Sequence, residues 1–180
     1  MNRILDQIAE EINGVIAKMD ERDLVNAMGV IGRNDRVYAT GEGRSGFQAR
    51  AFAMRMMHIG YTSYMMGETI CPSMHEGDVL VAISGSGKTK HTVEDAEAAK
   101  KLGVKVIAVT SKPESPLADV ADAVIVVPGR VKGDAGGSIQ LLSSLFDQSV
   151  HIALDALCLM ISRRDEVSDA DANANHANVE

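Results

Sequence analysis

Residues 79–89 read VLVAISGSGKT, an unbroken apolar run that leads into a turn of glycines and hydroxyl side chains. Residues 36–46, RVYATGEGRSG, have the same order of a short apolar run and a glycine-rich turn. Apolar runs of about four to eight residues are typical of strands that are covered on both faces, as in parallel sheets. The two stretches therefore predict two strands of one parallel sheet, each with a turn at its carboxyl end.

The rest of the chain extends this pattern. Short apolar runs that predict strands cover residues 37–39, 61–65, 79–83, 104–109 and 123–127. Apolar residues at helical spacing predict helices over residues 2–19, 23–32, 46–59 and 138–162. Because strands and helices alternate through the middle of the chain, the sequence predicts an α/β fold with a parallel sheet.

The chain is predicted to form a single domain, with N-terminal helices over 1–33, an α/β core over 34–162 and a C-terminal tail over 163–180. The predicted helix 46–59 is apolar nearly all round, so we expect a second subunit to cover part of it, with His58 as a core or interface residue. The tail is polar, and its composition alone predicts a frayed, solvated end.

Composition excludes several classes of protein. With 180 residues, 46% of them apolar, the chain is long enough for one domain with a core. Its 18 basic against 25 acidic residues, with three Phe, three Tyr and no Trp, argue against nucleic acid as a partner.

The N-terminus lacks the apolar run of a signal peptide or membrane span, so we expect a cytoplasmic protein with no membrane partner. Cys71 and Cys158 lie far apart, which predicts reduced thiols and no zinc site.

The turn after the first predicted strand is suited to an anion. Residues 41–46, GEGRSG, fit the pattern G-x-G-x-x-G, in which glycines let backbone N–H groups and a helix N-terminus face the ligand. A dinucleotide-binding fold uses the same pattern with an acid about 20 residues later, a place that Glu68 fills. Arg44 and Ser45 add a charge and a hydroxyl, which suit a terminal phosphate or a sugar hydroxyl better.

The second turn, SGSGKT at residues 84–89, predicts a phosphate site. Ser84, Ser86 and Thr89 offer hydroxyls, and the two glycines expose backbone amides. The turn also resembles a nucleotide P-loop, but that pattern needs glycine where this chain has Ala82. A third interpretation is a plain turn whose hydroxyls only cap the following helix. Because ligands of open parallel sheets bind at the carboxyl ends of the strands, we expect both turns to border one crevice.

With both turns and the C-terminus in view, the sequence resembles the SIS (sugar isomerase) domain family, and within it the 6-phospho-3-hexuloisomerase branch. The motifs that carry the resemblance span nearly the whole chain: GEGRSG at 41–46, AMRMMHIGY at 53–61, GETICP at 67–72, SGSGKT at 84–89, TSKPESPLADVAD at 110–122, SLFDQ at 144–148 and HANVE at 176–180. The glycine turns are typical of the broad family, whereas the terminal motif is specific to the branch.

The resemblance implies a three-layer α/β/α sandwich around a parallel sheet of five strands in flavodoxin-like order, assembled as a homotetramer. It implies the interconversion of a 3-hexulose 6-phosphate and fructose 6-phosphate, with no metal or organic cofactor. The implied functional partner is 3-hexulose-6-phosphate synthase, because the reaction follows the fixation of formaldehyde onto ribulose 5-phosphate.

The resemblance also assigns roles to residues. Asp147 is implied to be the proton acceptor, and His176 a second catalytic group on a tail that reaches an active site, including that of a neighbouring subunit. Arg44 is a further candidate for binding phosphate or enediolate charge, since a guanidinium fork matches an oxyanion. Substrate is implied to be bound by Ser45 and by the second turn, that is by Ser84, Gly85, Ser86, Gly87, Lys88 and Thr89.

Moving a carbonyl group from C3 to C2 of a sugar needs a base that takes the C2 proton, and Asp147 is the candidate. It lies among Leu145, Phe146 and Val150, so desolvation is expected to raise its pKa. The alternative is a surface aspartate that pairs with His151, one helical turn away.

The chain departs from the branch at three positions. Asp147 replaces the usual glutamate, Lys88 lies where an acid is common, and Asn175 replaces an arginine. Two other functions stay open: an aldose-ketose isomerase of the arabinose-5-phosphate type and a non-catalytic sugar-phosphate sensor. A sensor is expected to lack the base, and the arabinose-phosphate class commonly has a regulatory region after the domain, so the first hypothesis is favoured.

Overall fold

A parallel sheet of five strands forms the centre of the structure, a computed structural model that describes residues 3–179. The strands are β1 (Val37–Gly41), β2 (Ser63–Met65), β3 (Val79–Ile83), β4 (Lys105–Thr110) and β5 (Ala123–Val126). They lie in the order β2-β1-β3-β4-β5, and every neighbouring pair is parallel. This is the flavodoxin-like order, so the predicted fold class is confirmed.

Helices cover both faces of the sheet. Within residues 3–179 they are α1 (Ile4–Ile16), α2 (Glu21–Val30), α3 (Gly43–His58), α4 (Lys90–Lys101), α5 (Pro116–Val120), α6 (Ser144–Arg164) and α7 (Asp169–Ala174). The helices α1, α2, α3 and α6 share one hydrophobic core, which contains Phe52 and Leu157. The helices α4 and α5 pack on the opposite face, in a smaller core that contains Ala96 and Leu117.

β3 shows why an unbroken apolar run suits a central strand. All of its residues are buried. Val79, Val81 and Ile83 belong to the core on the side of α3 and α6, whereas Leu80 and Ala82 belong to the core on the side of α4. Because successive side chains of a strand point to opposite faces, a strand between two helical layers has no position for a solvated side chain.

The start of α6 differs from the predicted helix 138–162. The helix begins at Ser144, because Leu142 has a φ of +52°, a conformation that an α-helix does not contain. Residues 127–143 form a connection without helix or strand, which we call the β5–α6 loop.

The C-terminal tail is more ordered than its composition suggests. Ser168 and Asp171 form a capping box, in which each side chain bonds the backbone N–H of the other residue, and α7 follows. The expectation of a frayed end is therefore wrong for residues 169–174. Local capping is the physical reason, since a capped turn satisfies backbone donors that a frayed end leaves to water.

Within residues 3–179, α6 is the one helix long and apolar enough to cross a membrane by length and composition. More than half of its most apolar window, 56%, is buried inside the protein. The central helix of a folded core has the same properties, and α6 packs against α1, α2 and α3 in this way.

Candidate active site

The two glycine-rich turns lie side by side at the carboxyl edge of the sheet. β1 and β3 are neighbours, and their connections leave in different directions, to α3 on one face and to α4 on the other. Such a divergence opens a crevice between the two turns. The turns border a cleft of about 360 Å³, which is lined by Glu42, Gly43, Arg44, Ser45, Gly85, Ser86, Thr89, Val131, Lys132, Leu142, Ser143 and Asp147.

The first turn places Ser45 in the first turn of α3. Gly43 has φ +58°, and a Cβ atom on Gly46 would lie 2.6 Å from the carbonyl oxygen of Gly41. Glycine at 46 therefore lets α3 start directly against the end of β1. As a result, the Ser45 hydroxyl and the N-terminus of α3 face the cleft, an arrangement that favours an anion.

The glycines of the second turn are required by close packing. A Cβ atom on Gly85 would lie 2.6 Å from Cγ1 of Val131, and one on Gly87, where φ is +64°, would lie 2.1 Å from Oγ of Ser115. Ser111 donates its backbone N–H and its hydroxyl to the carbonyl oxygen of Gly85, at 3.1 and 2.9 Å. The turn is thus held in one shape by the elements around it.

The hydroxyl groups of the second turn lie in two different environments. Ser84 is buried, and its Oγ lies 2.8 Å from Oγ1 of Thr89, inside the turn. Ser86 and Thr89 line the cleft, whereas Ser84, Gly87 and Lys88 are not among the lining residues. In residues 3–179 the backbone N–H groups of Gly85 and Ser86 have no hydrogen-bond partner, so these donors are available to a ligand.

Asp147 lies on the first turn of α6 and is 1% exposed. Its Oδ1 accepts a hydrogen bond from the Ser45 hydroxyl at 3.1 Å, and its Oδ2 accepts one from Nε of Arg44 at 3.3 Å. Burial raises the pKa of Asp147, and the two donors oppose this shift without cancelling it. The cleft therefore contains a carboxylate with more affinity for a proton than a surface aspartate has.

His151 is not the partner of Asp147. The imidazole lies 2.9 Å from the amide oxygen of Gln48 and 3.6 Å from the carboxylate of Asp155, on the exposed side of α6. The alternative of a surface pair between Asp147 and His151 is therefore wrong, because Asp147 points into the cleft and His151 points to solvent.

His176 lies away from the cleft of its own chain. Its ring stacks on that of His58 with centroids 5.1 Å apart, and Nδ2 of Asn175 donates to the His58 carbonyl oxygen at 3.0 Å. His58 is the last residue of α3 and Ser45 lies in its first turn, so roughly 20 Å of helix separates them. Burial lowers the pKa of His58, and nearby Arg55 and His176 act in the same direction.

Several lining residues were not predicted. Val131 and Lys132 belong to no recognisable motif, and Leu142 and Ser143 fall in a stretch that was predicted to be helical. Glu42 and Gly43 are indicated by the sequence, since both lie inside the first glycine turn.

Residues that other interpretations need are placed elsewhere. Glu68, the acid of a dinucleotide site, forms an ion pair with Arg50 at 3.0 Å on the surface. Cys71 and Cys158 are free cysteines. In the part of the chain that the structure describes, no three His, Cys, Asp or Glu side chains are grouped to hold a metal ion.

Comparisons with known proteins agree with this geometry. The SIS domain matches residues 30–146. The 3-hexulose-6-phosphate isomerase of Mycobacterium gastri is 38% identical over 178 residues, which cover 98% of this chain and 89% of that protein. The enzyme of the same name from Bacillus subtilis (strain 168) is 34% identical over 177 residues, covering 97% and 96%.

A crystal structure of a Methanococcus jannaschii protein, from which a 3-hexulose-6-phosphate isomerase function was inferred, has a TM-score of 0.81 at 28% identity and covers 98% of both chains. An Escherichia coli protein in complex with a sugar phosphate has the same fold, with a TM-score of 0.78 at 23% identity, covering 96% of this chain and 93% of that one. The resemblance seen in the sequence is confirmed: the chain belongs to the SIS domain family, and its relatives include several 3-hexulose-6-phosphate isomerases.

Proposed function

We propose that this protein converts arabino-hex-3-ulose 6-phosphate to fructose 6-phosphate through an enediol, without a metal or organic cofactor. The observation that carries the proposal is Asp147, a buried carboxylate 3.1 Å from Ser45 in the cleft that both glycine turns border. The relatives support an isomerase, and a carboxylate beside a phosphate-type turn supports a sugar phosphate as its substrate.

The phosphate group binds at the second turn. Ser86 and Thr89 offer hydroxyls, Ser45 offers another from the first turn, and the backbone N–H groups of residues 85 and 86 have no partner among the residues described. Ser84 acts from inside the turn, by fixing the hydroxyl of Thr89. Gly85 and Gly87 permit the close packing described above.

Two basic groups add to this phosphate site. Lys88, an exposed residue of this turn, adds positive potential without lining the cleft. Lys132 is a second basic residue, and it lines the cleft itself.

Asp147 takes the proton from C2 and returns it to C3. The carbonyl group then moves from C3 to C2, because the enediol formed in between can be protonated at either carbon. A base works best when its pKa approaches the working pH, and burial shifts Asp147 in that direction. The Arg44 side chain is 57% exposed, so its guanidinium is free to turn from Asp147 to an oxyanion of the substrate.

His176 acts in the cleft of a neighbouring subunit, where it moves a proton between O2 and O3. Within its own chain, the length of α3 separates it from Ser45. The exposed apolar side chains of α3 and α6 support an assembly that brings subunits together. We therefore propose a homotetramer of single SIS domains, in which the tail over 163–180 completes an adjacent site.

In the cell, the proposed reaction uses the product of 3-hexulose-6-phosphate synthase. That enzyme joins formaldehyde to ribulose 5-phosphate, and the present protein would convert the product of the synthase to fructose 6-phosphate. We propose a cytoplasmic location, because ribulose 5-phosphate is a charged sugar phosphate that does not cross a membrane unaided.

A coupled assay tests the proposal. The synthase generates hexulose 6-phosphate in place, fructose 6-phosphate is detected enzymatically, and arabinose 5-phosphate is offered in a parallel reaction. We expect turnover of the hexulose phosphate and at least about a hundredfold lower kcat/KM for the pentose phosphate. Faster turnover of arabinose 5-phosphate would support the other isomerase class, and binding of both sugars without turnover would support a sensor.

A further inference from the structure

The β5–α6 loop is attached to α1 through one carboxylate, that of Glu11. Its Oε2 accepts hydrogen bonds from Oγ of Ser138 at 2.8 Å and from Nε2 of Gln140 at 3.1 Å. Its Oε1 accepts the backbone N–H of Ile139 at 2.7 Å. A single side chain therefore holds three consecutive residues of a loop that is far away in the sequence.

Charge strengthens this attachment. Burial acts to raise the pKa of Glu11, but the hydrogen bonds from Ile139, Ser138 and Gln140, together with the charge of Arg130, lower it overall. The carboxylate is thus ionised at neutral pH, and hydrogen bonds to an ionised acceptor are about twice as strong as neutral ones.

The attached segment is connected to the wall of the cleft. Nη1 of Arg130 donates to the carbonyl oxygen of Gln140 at 2.9 Å, and the next two residues, Val131 and Lys132, line the cleft. The backbone N–H of Lys132 donates to Oγ of Ser143 at 3.0 Å, and Ser143 is also a lining residue. A continuous set of contacts therefore runs from Glu11 to three residues that line the cleft, Val131, Lys132 and Ser143.

We propose that Glu11 is a positioning residue, which sets the affinity for the sugar phosphate by holding the β5–α6 loop in place as one wall of the cleft. Glu11 does not line the cleft itself, so it acts on the ligand only through the loop. The inference rests on the proposed function in placing the substrate in this cleft.

The test compares Glu11→Ala with Glu10→Ala, a matched control at an exposed neighbouring position of α1. In the coupled assay, Glu11→Ala should raise KM about tenfold, because a loop that is in place one tenth of the time weakens apparent affinity by that factor. The kcat should stay the same, since Asp147 keeps its contacts with Ser45 and Arg44. Glu10→Ala should change neither constant.

Hydrogen exchange of the full-length protein separates positioning from a general loss of stability. Glu11→Ala should accelerate exchange of the backbone amides at 138–143 and leave β3 unchanged, and saturating fructose 6-phosphate should slow the loop again. Three results would overturn the proposal: identical behaviour of the two variants, a loss confined to kcat, or faster exchange that the sugar phosphate does not reverse. If the parent protein turns over no hexulose phosphate, the proposed function fails, while fructose 6-phosphate titration and exchange still decide the role of Glu11.

Discussion

Asp147 places a carboxyl group at a position that is almost closed to water. Ionised carboxylates are rarely buried in this way, because an ionised group loses its hydration there. Here the Ser45 hydroxyl and the Arg44 guanidinium replace part of that hydration. The result is a base that remains available in the cleft but binds a proton more readily than an exposed aspartate.

We expect Asp147→Asn to lower kcat about 100- to 10,000-fold, which is the usual contribution of a general base. Fructose 6-phosphate should still bind within a few-fold of the parent affinity, because asparagine keeps the shape of the side chain and can still accept from Ser45. The coupled assay and a titration with fructose 6-phosphate measure the two effects. A variant that retains turnover would remove Asp147 from the mechanism.

The same substitution should stabilise the protein at neutral pH. Burial raises the pKa of Asp147 in the folded state, so its contribution to stability is present below the unfolded pKa and is lost as the pH rises through the folded pKa. Asparagine has no charge to desolvate, and a gain of up to about 2 kcal/mol is expected at pH 7. In urea unfolding the difference should shrink as the pH is lowered through the raised folded pKa, and it should be gone below the unfolded pKa of about 4. An equal gain at every pH would show that charge is not its cause.

The second glycine turn is a rigid element whose shape depends on Gly87. An alanine there must adopt φ near +64°, and its Cβ atom would overlap the side chain of Ser115. We expect Gly87→Ala to destabilise the fold by about 2–4 kcal/mol, from left-handed strain and overpacking together. Gly29→Ala is the matched control, because that glycine lies in α2 with no atom within 4 Å of a new Cβ.

The control should change stability in the opposite direction. Alanine is favoured over glycine inside a helix by about 1 kcal/mol, so Gly29→Ala should be slightly more stable than the parent. Thermal unfolding of both variants gives the comparison. If both lose stability equally, the packing of the second turn is not what requires glycine at 87.

The local sequence predicts those elements in which every residue lies in the same kind of environment. β3 lies between two helical layers, so its apolar run alone predicts it, and the glycine turns follow from their strands. The wall of the cleft cannot be predicted from local sequence. The path of Val131 and Lys132 depends on the contact with Gly85 and, through Gln140, on Glu11. The place of His176 likewise depends on the contact between Asn175 and His58, which no local pattern contains.

The whole molecule presents an apolar surface formed by α3 and α6. Phe47 is 66% exposed, and Met54, Ile152 and Leu159 are exposed with it on these packed helices. A second subunit on this surface would remove their apolar area from water, at about 25 cal/mol for each Å². Such a subunit would cover the helix predicted over 46–59, for which we expected a cover because it is apolar nearly all round.

Phe47→Asp should therefore weaken assembly. Sedimentation velocity should show an oligomer for the parent and a shift to smaller species for the variant, because a charged side chain cannot be buried there without a partner. A parent that sediments as a monomer, or a variant that keeps the parent's size, would contradict the assignment of this surface.

If His176 acts in a neighbour's cleft, two inactive variants should restore each other. A subunit with His176→Gln still has Asp147, and a subunit with Asp147→Asn still has His176, so a mixed oligomer contains some sites with both groups. Random exchange of equal amounts gives both to about a quarter of the sites, and activity should recover to that fraction of the parent. Mixing Asp147→Asn with the double variant provides the control, since no site then has the base. Without recovery in the first mixture, once exchange of subunits is verified, His176 does not act across subunits, and the stacking on His58 is its role within its own chain.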